Sequence, residues 1–159
     1  MIDTPVQMGI AAQQTAAIHL HIPVASMRDE FPKAIAELFD ALRQQSLTAA
    51  GPVFAHHFRR PTDSFDFNLC VPVEHPVQAV GRVEPVAMPS LPVLRTTYHG
   101  DYAGLPHAWG EFIASIPAEA PALRGDFIEA YVVGPHDGVS PAEWRTDLSV
   151  ILTTDERQA

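Results

Sequence analysis

Two stretches of the chain carry the same helical pattern of apolar positions. In each stretch the apolar residues occur at positions i, i+4, i+7, i+8 and i+11, which lie on one face of a helix. Polar residues such as Lys33 and Glu111 occupy positions between them. The pattern predicts two amphipathic helices, with buried stripes formed by Phe31, Ile35, Leu38, Phe39 and Leu42 and by Leu105, Trp109, Phe112, Ile113 and Ile116.

The two helices belong to a longer pattern that the chain contains twice. The second stripe follows the first by 74 residues, and Gly125 follows Gly51, each glycine before a strand-like segment, by the same distance. A further strand near Phe65 repeats near Trp144 after 79 residues, so the second copy has five additional residues in the turn-forming sequence VGPHDGVSP. A length change confined to a turn is typical of a duplicated unit.

A strand precedes each predicted helix, at about 15–24 in the first copy and about 92–99 in the second. Each copy therefore reads strand, helix, strand, strand. Repeat one covers about 13–74, and repeat two covers about 91–154.

The segment between the repeats, about 75–90, is predicted to be a proline-bearing linker with one short edge strand at 80–83. We expect an α+β fold in which residues 1–159 form a single domain. Duplicated β-α-β-β units would form an antiparallel sheet with two long helices. A pseudo-two-fold axis would relate the units, with a ligand cleft between them.

The net charge of the chain indicates which classes of ligand it can bind. The chain has 10 Lys and Arg residues against 19 Asp and Glu residues, for a formal net charge of -9, and it contains no basic run. Nucleic-acid binding normally needs a surface rich in Lys and Arg, so we expect no direct binding of DNA or RNA. A negative chain instead attracts cationic ligands at long range.

The apolar runs are too short for a membrane span, which needs roughly 20 residues. The chain also lacks the charged and apolar regions of an export signal. We therefore expect a cytoplasmic protein with no membrane partner. Cys70 lies in the apolar run FNLCVPV and is predicted to be a small buried hydrophobic residue rather than a nucleophile. The sequence leaves the oligomeric state open.

Two segments of the second repeat carry a family resemblance. The sequence HGDYAGLPHAWGEFI at 99–113 and the sequence GDFIEAYV at 125–132, within the duplicated layout, resemble the GyrI-like small-molecule-binding domains. That family includes effector-binding domains of multidrug-responsive transcription activators and some stand-alone proteins. Its pattern has Gly-Pro-Tyr where this chain has Gly100, Asp101 and Tyr102. Asp101 still suits the start of a helix, because a carboxylate accepts hydrogen bonds there.

The resemblance implies that Glu129 meets a cationic ligand and that Tyr131 is the aromatic residue beside it. Strand alternation places Phe127, Glu129 and Tyr131 on one face. An ionised carboxylate in apolar surroundings costs several kcal/mol unless it is paired, or its pKa rises. A ligand cation among aromatic rings would supply that pairing. The alternatives are a solvated face, or a pair with an arginine such as Arg95 or Arg145.

The remaining candidate ligand-binding residues are Trp109, Tyr102 and His57. Trp109 occupies the place of Ile35 of the first copy, so it is either simply core or a flat wall of a pocket. His57 stands in the first copy where the second has Tyr131. Together with Phe127, these residues complete the predicted site around Glu129 and Tyr131.

The eight histidines are scattered and match no established metal-binding spacing, so we expect no metal and no cofactor. No standard hydrolase, nucleotide-triphosphatase or dinucleotide-binding motif is present.

Three functions remain open at this point. The preferred one is a non-enzymatic binding protein for a hydrophobic, cationic small molecule. It would serve in effector sensing or drug sequestration, without a DNA-binding segment and with a separate protein partner where one is needed. The second is a hydrolase of reactive electrophiles such as cyclopropane-bearing compounds, which the resemblance implies for some members. There Glu129 would be the general base and Tyr131 a polarising donor. The third is an interaction protein like the gyrase inhibitors of the same family.

Overall fold

The computed structural model describes residues 1–153, which form two compact units. The C-terminal unit contains Met1–Ile10 and the chain from Leu91 onward, and the N-terminal unit contains Ala11–Ser90. In chain order the strands and longer helices are β1 (Val6–Ile10), β2 (Gln13–Pro23), α1 (Met27–Gln44), β3 (Phe54–His57), β4 (Ser64–Val73), β5 (Glu84–Met88), β6 (Leu91–His99), α2 (Leu105–Ser115), β7 (Leu123–Val133) and β8 (Arg145–Leu152).

The N-terminal unit is a four-stranded antiparallel sheet in the order β3-β4-β2-β5, with α1 against it. Residues 15–18 of β2 are buried on both faces of the sheet, and beyond them buried Leu20 lies between exposed His19 and His21. The α1 stripe contributes Leu38 and Leu42 to the core, as its 3.6-residue period predicts.

The edge strand of this unit lies later in the chain than the sequence predicts. Val80 and Val83 form only an isolated bridge that closes a tight turn, in which Gly81 has a φ of +57°. The strand itself is β5, which pairs with β2. Pro85 has no N–H to donate, which suits an edge strand of this sheet. The predicted linker at 75–90 is therefore partly a strand of the N-terminal unit.

The C-terminal unit is a four-stranded antiparallel sheet in the order β1-β6-β8-β7. Strand β1 was not predicted. Helix α2 has 11 residues against 18 in α1, so only one of the two helices is long. It ends before Pro117, because a residue that precedes proline avoids the helical conformation, and Ile116 is indeed extended.

The core of the C-terminal unit lies between α2 and one face of its sheet. Its buried members are Tyr98, Leu105, Ala108, Phe112, Leu148 and Val150. The unit contains the predicted succession of strand, helix, strand and strand as β6, α2, β7 and β8, and the N-terminal unit contains it as β2, α1, β3 and β4. The internal duplication and its pseudo-two-fold axis stay predictions. No helix in residues 1–153 is long and apolar enough to cross a membrane.

Candidate functional site

Strand β7 places three predicted site residues on the face that α2 covers. Its register with β8 is regular from Phe127, opposite Val150, to Tyr131, opposite Thr146. Glu129 is paired with Leu148, a member of the core under α2. The shared face of Phe127, Glu129 and Tyr131 therefore follows the alternation that the sequence predicts. Irregularities interrupt the register on both sides of this stretch, as is common beside functional sites.

The carboxylate of Glu129 accepts two side-chain hydrogen bonds within the C-terminal unit. The indole N–H of Trp109 donates to Oε2 with an N···O distance of 2.6 Å. The hydroxyl of Tyr131 donates to Oε1 with an O···O distance of 2.9 Å. Bonds to an ionised acceptor are shorter and stronger than neutral ones, so these two donors hold the carboxylate in a defined orientation.

Burial raises the pKa of Glu129, and the hydrogen bonds from Trp109 and Tyr131 offset only part of that effect. Burial also raises the pKa of Tyr131 well above its ordinary value, and the adjacent Glu129 adds to the rise. The pKa of Tyr102 is raised by burial, then by Glu129 and Asp137. Burial is the first cause of all three shifts, and the charge of Glu129 is a further cause for both tyrosines.

Aromatic rings lie on both sides of the carboxylate. On one side the ring of Trp109 is 4.7 Å from that of Phe127 and 5.8 Å from that of Phe112, measured between centroids. On the other side Tyr102 is 5.7 Å from Tyr131 and 4.9 Å from Trp144. The negative faces of such rings attract organic cations.

Glycines make room for the tyrosines of this site. A Cβ at Gly104 would overlap the Tyr98 hydroxyl, and one at Gly134 would lie 2.6 Å from the Tyr102 hydroxyl. Gly100 has a φ of +142°, and a Cβ there would lie 2.7 Å from the Tyr98 hydroxyl. The glycines of the GDYAG segment are therefore required by the approach of a buried tyrosine, and that approach seats the start of α2 on the sheet.

The arginine pairing considered from the sequence does not occur for Arg95. Arg95 is the register partner of Ser149, one position away from Leu148, so it lies on the sheet face opposite to Glu129. It donates to Ser149 Oγ at 2.9 Å and lies 3.7 Å from Asp147. Arg145 is exposed and occupies the same alternate set as Ser149. Glu129 itself has intermediate exposure on the face that α2 covers.

His57 belongs to the N-terminal unit, unlike the other candidate site residues. It lies on β3, where its ring stacks on that of Phe67 at a centroid distance of 4.8 Å. Burial, with a smaller contribution from His56, lowers the pKa of His57 to about 4. The imidazole is therefore neutral at physiological pH. Its assignment to the ligand site stays a prediction.

The ring of Trp144 contacts that of Tyr102, a predicted site residue, whereas the sequence analysis assigned Trp144 to architecture shared with Phe65. It precedes β8 by one residue and has an extended backbone, so it follows the same alternation as Thr146 and Leu148. That alternation was the sequence signal for Trp144, because it places the side chain on the same sheet face as Glu129.

Cys70 is fully buried, as the sequence predicts, and burial raises the pKa of its thiol to about 12. Such a thiol is protonated and a poor nucleophile. Within residues 1–153, no group of three or more His, Cys, Asp and Glu side chains is arranged to hold a metal ion.

Comparison with protein families gives one match over most of the chain. The sequence model of the GyrI-like small molecule binding domain matches residues 10–152. None of the curated protein sequences matches the chain.

Comparison with solved structures agrees with that match at the level of the fold. The crystal structure of the EcmrR C-terminal domain has a TM-score of 0.83 at 16% identity, covering 96% of this chain and 98% of that one. The chain spans 58% of EcmrR as seen in its DNA complex. The structure of SAV2435 bound to tetraphenylphosphonium has a TM-score of 0.69 at 9% identity, with coverage of 95% and 94%. A hydrolase from Listeria innocua has a TM-score of 0.65 at 12% identity, with coverage of 94% and 91%.

Proposed function

Because the chain belongs to the GyrI-like family of small-molecule-binding domains, we propose that it binds a lipophilic organic cation, with Glu129 as the counter-charge. The observation that carries the proposal is the desolvated carboxylate of Glu129 between two groups of aromatic rings. A bulky cation that enters this pocket would neutralise the carboxylate and restore the electrostatic stabilisation that burial removes.

The donors to Glu129 also favour such a ligand. Trp109 donates to one carboxylate oxygen and Tyr131 to the other, so the carboxylate is oriented before a ligand arrives. A delocalised cation needs charge and ring contacts rather than a directed hydrogen bond, and cation–π attraction contributes about 2 kcal/mol when desolvated. SAV2435, which has the same fold, binds tetraphenylphosphonium, a cation of this type.

The biological role that we propose is drug sequestration or effector sensing in the cytoplasm. The 74-residue spacing of the two patterns supports an internal duplication. The polar residues Glu129 and Tyr131 occur in one repeat only, which would confine the counter-charge to the C-terminal unit.

The proposal is tested with two ions of the same shape and opposite charge, tetraphenylphosphonium and tetraphenylborate. Titration calorimetry on the wild-type protein is expected to show tighter binding of the cation by at least tenfold. The substitution Glu129→Gln is expected to weaken cation binding by about tenfold or more, because it removes a charge worth upwards of ~1.4 kcal/mol in a poorly solvated site.

The matched control is Glu111→Gln, which removes the same charge from an exposed position of α2. It is expected to leave cation binding within twofold of wild type. Equal weakening by the two variants would mean that long-range attraction to a chain of net charge -9 explains the preference, and Glu129 would not be the counter-charge. Absence of binding by wild type would favour an interaction protein instead.

A second candidate function is hydrolysis of a reactive electrophile at the same carboxylate. The raised pKa of Glu129 favours it, since a base whose pKa lies nearer to neutrality accepts a proton from water more effectively. Glu129 would take a proton from water as the hydroxide oxygen bonds to the electrophilic carbon. In an epoxide, which is a strained three-membered electrophile, the bond from that carbon to the ring oxygen would break with its electron pair, and the ring oxygen would then be protonated by Glu129.

Turnover separates the two candidates. With 4-nitrophenyl glycidyl ether as the probe, a hydrolase would release the diol repeatedly, and Glu129→Gln would lose at least a hundredfold in rate. A binding protein would return every probe unchanged. Equal rates for wild type and Glu129→Gln would reject the catalytic assignment.

A further inference from the structure

Two buried polar atoms of the C-terminal unit lack a hydrogen-bond partner among residues 1–153. They are the indole Nε1 of Trp144 and the hydroxyl Oγ1 of Thr146. Thr146 is fully buried. An unsatisfied buried donor is costly, and such groups in folded proteins usually meet a water or a ligand.

The backbone directs these two side chains to the same face. Trp144 and Thr146 are separated by one residue in an extended segment, so their side chains emerge on the same side about 6.6 Å apart along the strand. Thr146 is the register partner of both Tyr98 and Tyr131, which lie on the face covered by α2.

This pair adjoins the carboxylate site. Tyr131, the register partner of Thr146, donates its hydroxyl to Glu129 at 2.9 Å. Tyr102 contacts the rings of both Tyr131 and Trp144. The unsatisfied atoms therefore lie on the tyrosine side of Glu129, and Phe127 lies on its other side along the sheet.

We infer that Trp144 and Thr146 form a subsite for a hydrogen-bond acceptor, so that the ligand is a lipophilic cation bearing a carbonyl oxygen. This inference rests on the proposed function of Glu129. The indole N–H is a donor only, and the threonine hydroxyl can donate as well as accept. A carbonyl oxygen has two lone pairs and accepts from both. A hydrocarbon group in the same place would leave both donors unsatisfied.

The test compares (4-benzoylbenzyl)triphenylphosphonium with (4-benzylbenzyl)triphenylphosphonium, which has a methylene group in place of the carbonyl. The carbonyl is remote from phosphorus, so both compounds stay cationic at neutral pH. By calorimetry, wild type is expected to bind the carbonyl compound about tenfold more tightly, as two net hydrogen bonds would give. The substitutions Thr146→Val and Trp144→Phe are each expected to reduce that ratio to about threefold or less. The ratio of the two affinities is the readout, because Trp144→Phe also changes a ring that contributes to cation binding.

Thr15→Val is the matched control, because Thr15 is equally buried but donates to the carbonyl oxygen of Val86 at 2.7 Å in the N-terminal unit. It is expected to lower the melting temperature and to leave the ratio unchanged. Thr146→Val is expected to preserve or raise the melting temperature of the free protein, because it removes an unsatisfied buried hydroxyl.

The outcomes separate this inference from the proposed function. If wild type binds both phosphonium compounds with equal affinity, the cation site stands and the acceptor subsite is rejected. The subsite is also rejected if the ratio survives both substitutions, which would mean that water satisfies these atoms. If wild type binds neither compound, the cation site itself is rejected, and the subsite with it.

Discussion

The substitution Phe112→Ala is expected to lower the free energy of unfolding by about 3–5 kcal/mol, the largest effect among the single changes considered. Phe112 is fully buried between α2 and its sheet, in contact with the core that includes Leu148 and Val150. Removal of the ring loses its transfer free energy and leaves a cavity that a packed core fills only in part. Urea unfolding measures the effect as a shift in midpoint at constant slope.

The same substitution should also disturb the carboxylate site. The ring of Phe112 lies 5.8 Å from that of Trp109, whose N–H holds Glu129. Phe112→Leu keeps most of the volume and is expected to cost less than half as much. Phe58→Ala is the control for removal of a phenylalanine, because Phe58 is 40% exposed. A loss below 1 kcal/mol for Phe112→Ala would contradict the packing of α2 described here.

Acidification from pH 6.5 to pH 4 is expected to destabilise the protein through His57 by as much as about 3 kcal/mol. The pKa of His57 falls from 6.5 to about 4 in the folded chain, because burial disfavours the charged imidazole and His56 adds repulsion. Since the folded pKa is the lower one, the unfolded chain binds the proton first. The contribution is fully present above pH 6.5 and is lost as the pH falls towards 4.

The measurement is urea unfolding across this pH range for wild type and His57→Gln, with the difference between the two followed against pH. Taking the difference cancels the opposite contribution of Glu129. The folded pKa of that residue is raised, so its protonation on acidification favours folding. The variant should be less stable than wild type at pH 7, and its deficit should shrink towards pH 4. His107→Gln, at an exposed position of α2, should follow wild type throughout. A deficit independent of pH would show that His57 is not desolvated.

The carboxylate site was predictable in part. Strand alternation placed Phe127, Glu129 and Tyr131 on one face, because a two-residue period can be recognised in a short segment. The partner of Glu129 was not predictable in the same way. Trp109 lies 20 residues earlier in the chain, and its helical spacing was equally consistent with a wholly apolar environment. The arginine alternative failed because register, which the sequence did not reveal, sets Arg95 on the opposite face.

The fold shows the same division. The succession of strand, helix, strand and strand followed from hydrophobic periodicity, and β4 and β8 lie close to their predicted positions. The two edge strands, β1 and β5, were missed or misplaced. Such short strands carry little periodic signal, and β5 was decided by its hydrogen bonds to β2 together with the turn at Gly81.

The sequence by itself determined the presence of both helices and of six strands, β2, β3, β4, β6, β7 and β8, and it indicated the family to which the chain belongs. These features depend on local spacing and short motifs. Only the tertiary structure decided that the indole N–H of Trp109 donates to Glu129 and that Trp144 and Thr146 have unsatisfied polar atoms. It also decided that residue 104 must be glycine, because the Tyr98 hydroxyl occupies the space of a Cβ there. Each of these depends on how α2 and β8 lie against residues distant in the chain. Hydrogen bonding and desolvation act over a few ångströms in space, so the chemistry of the site depends on packing that no local pattern records.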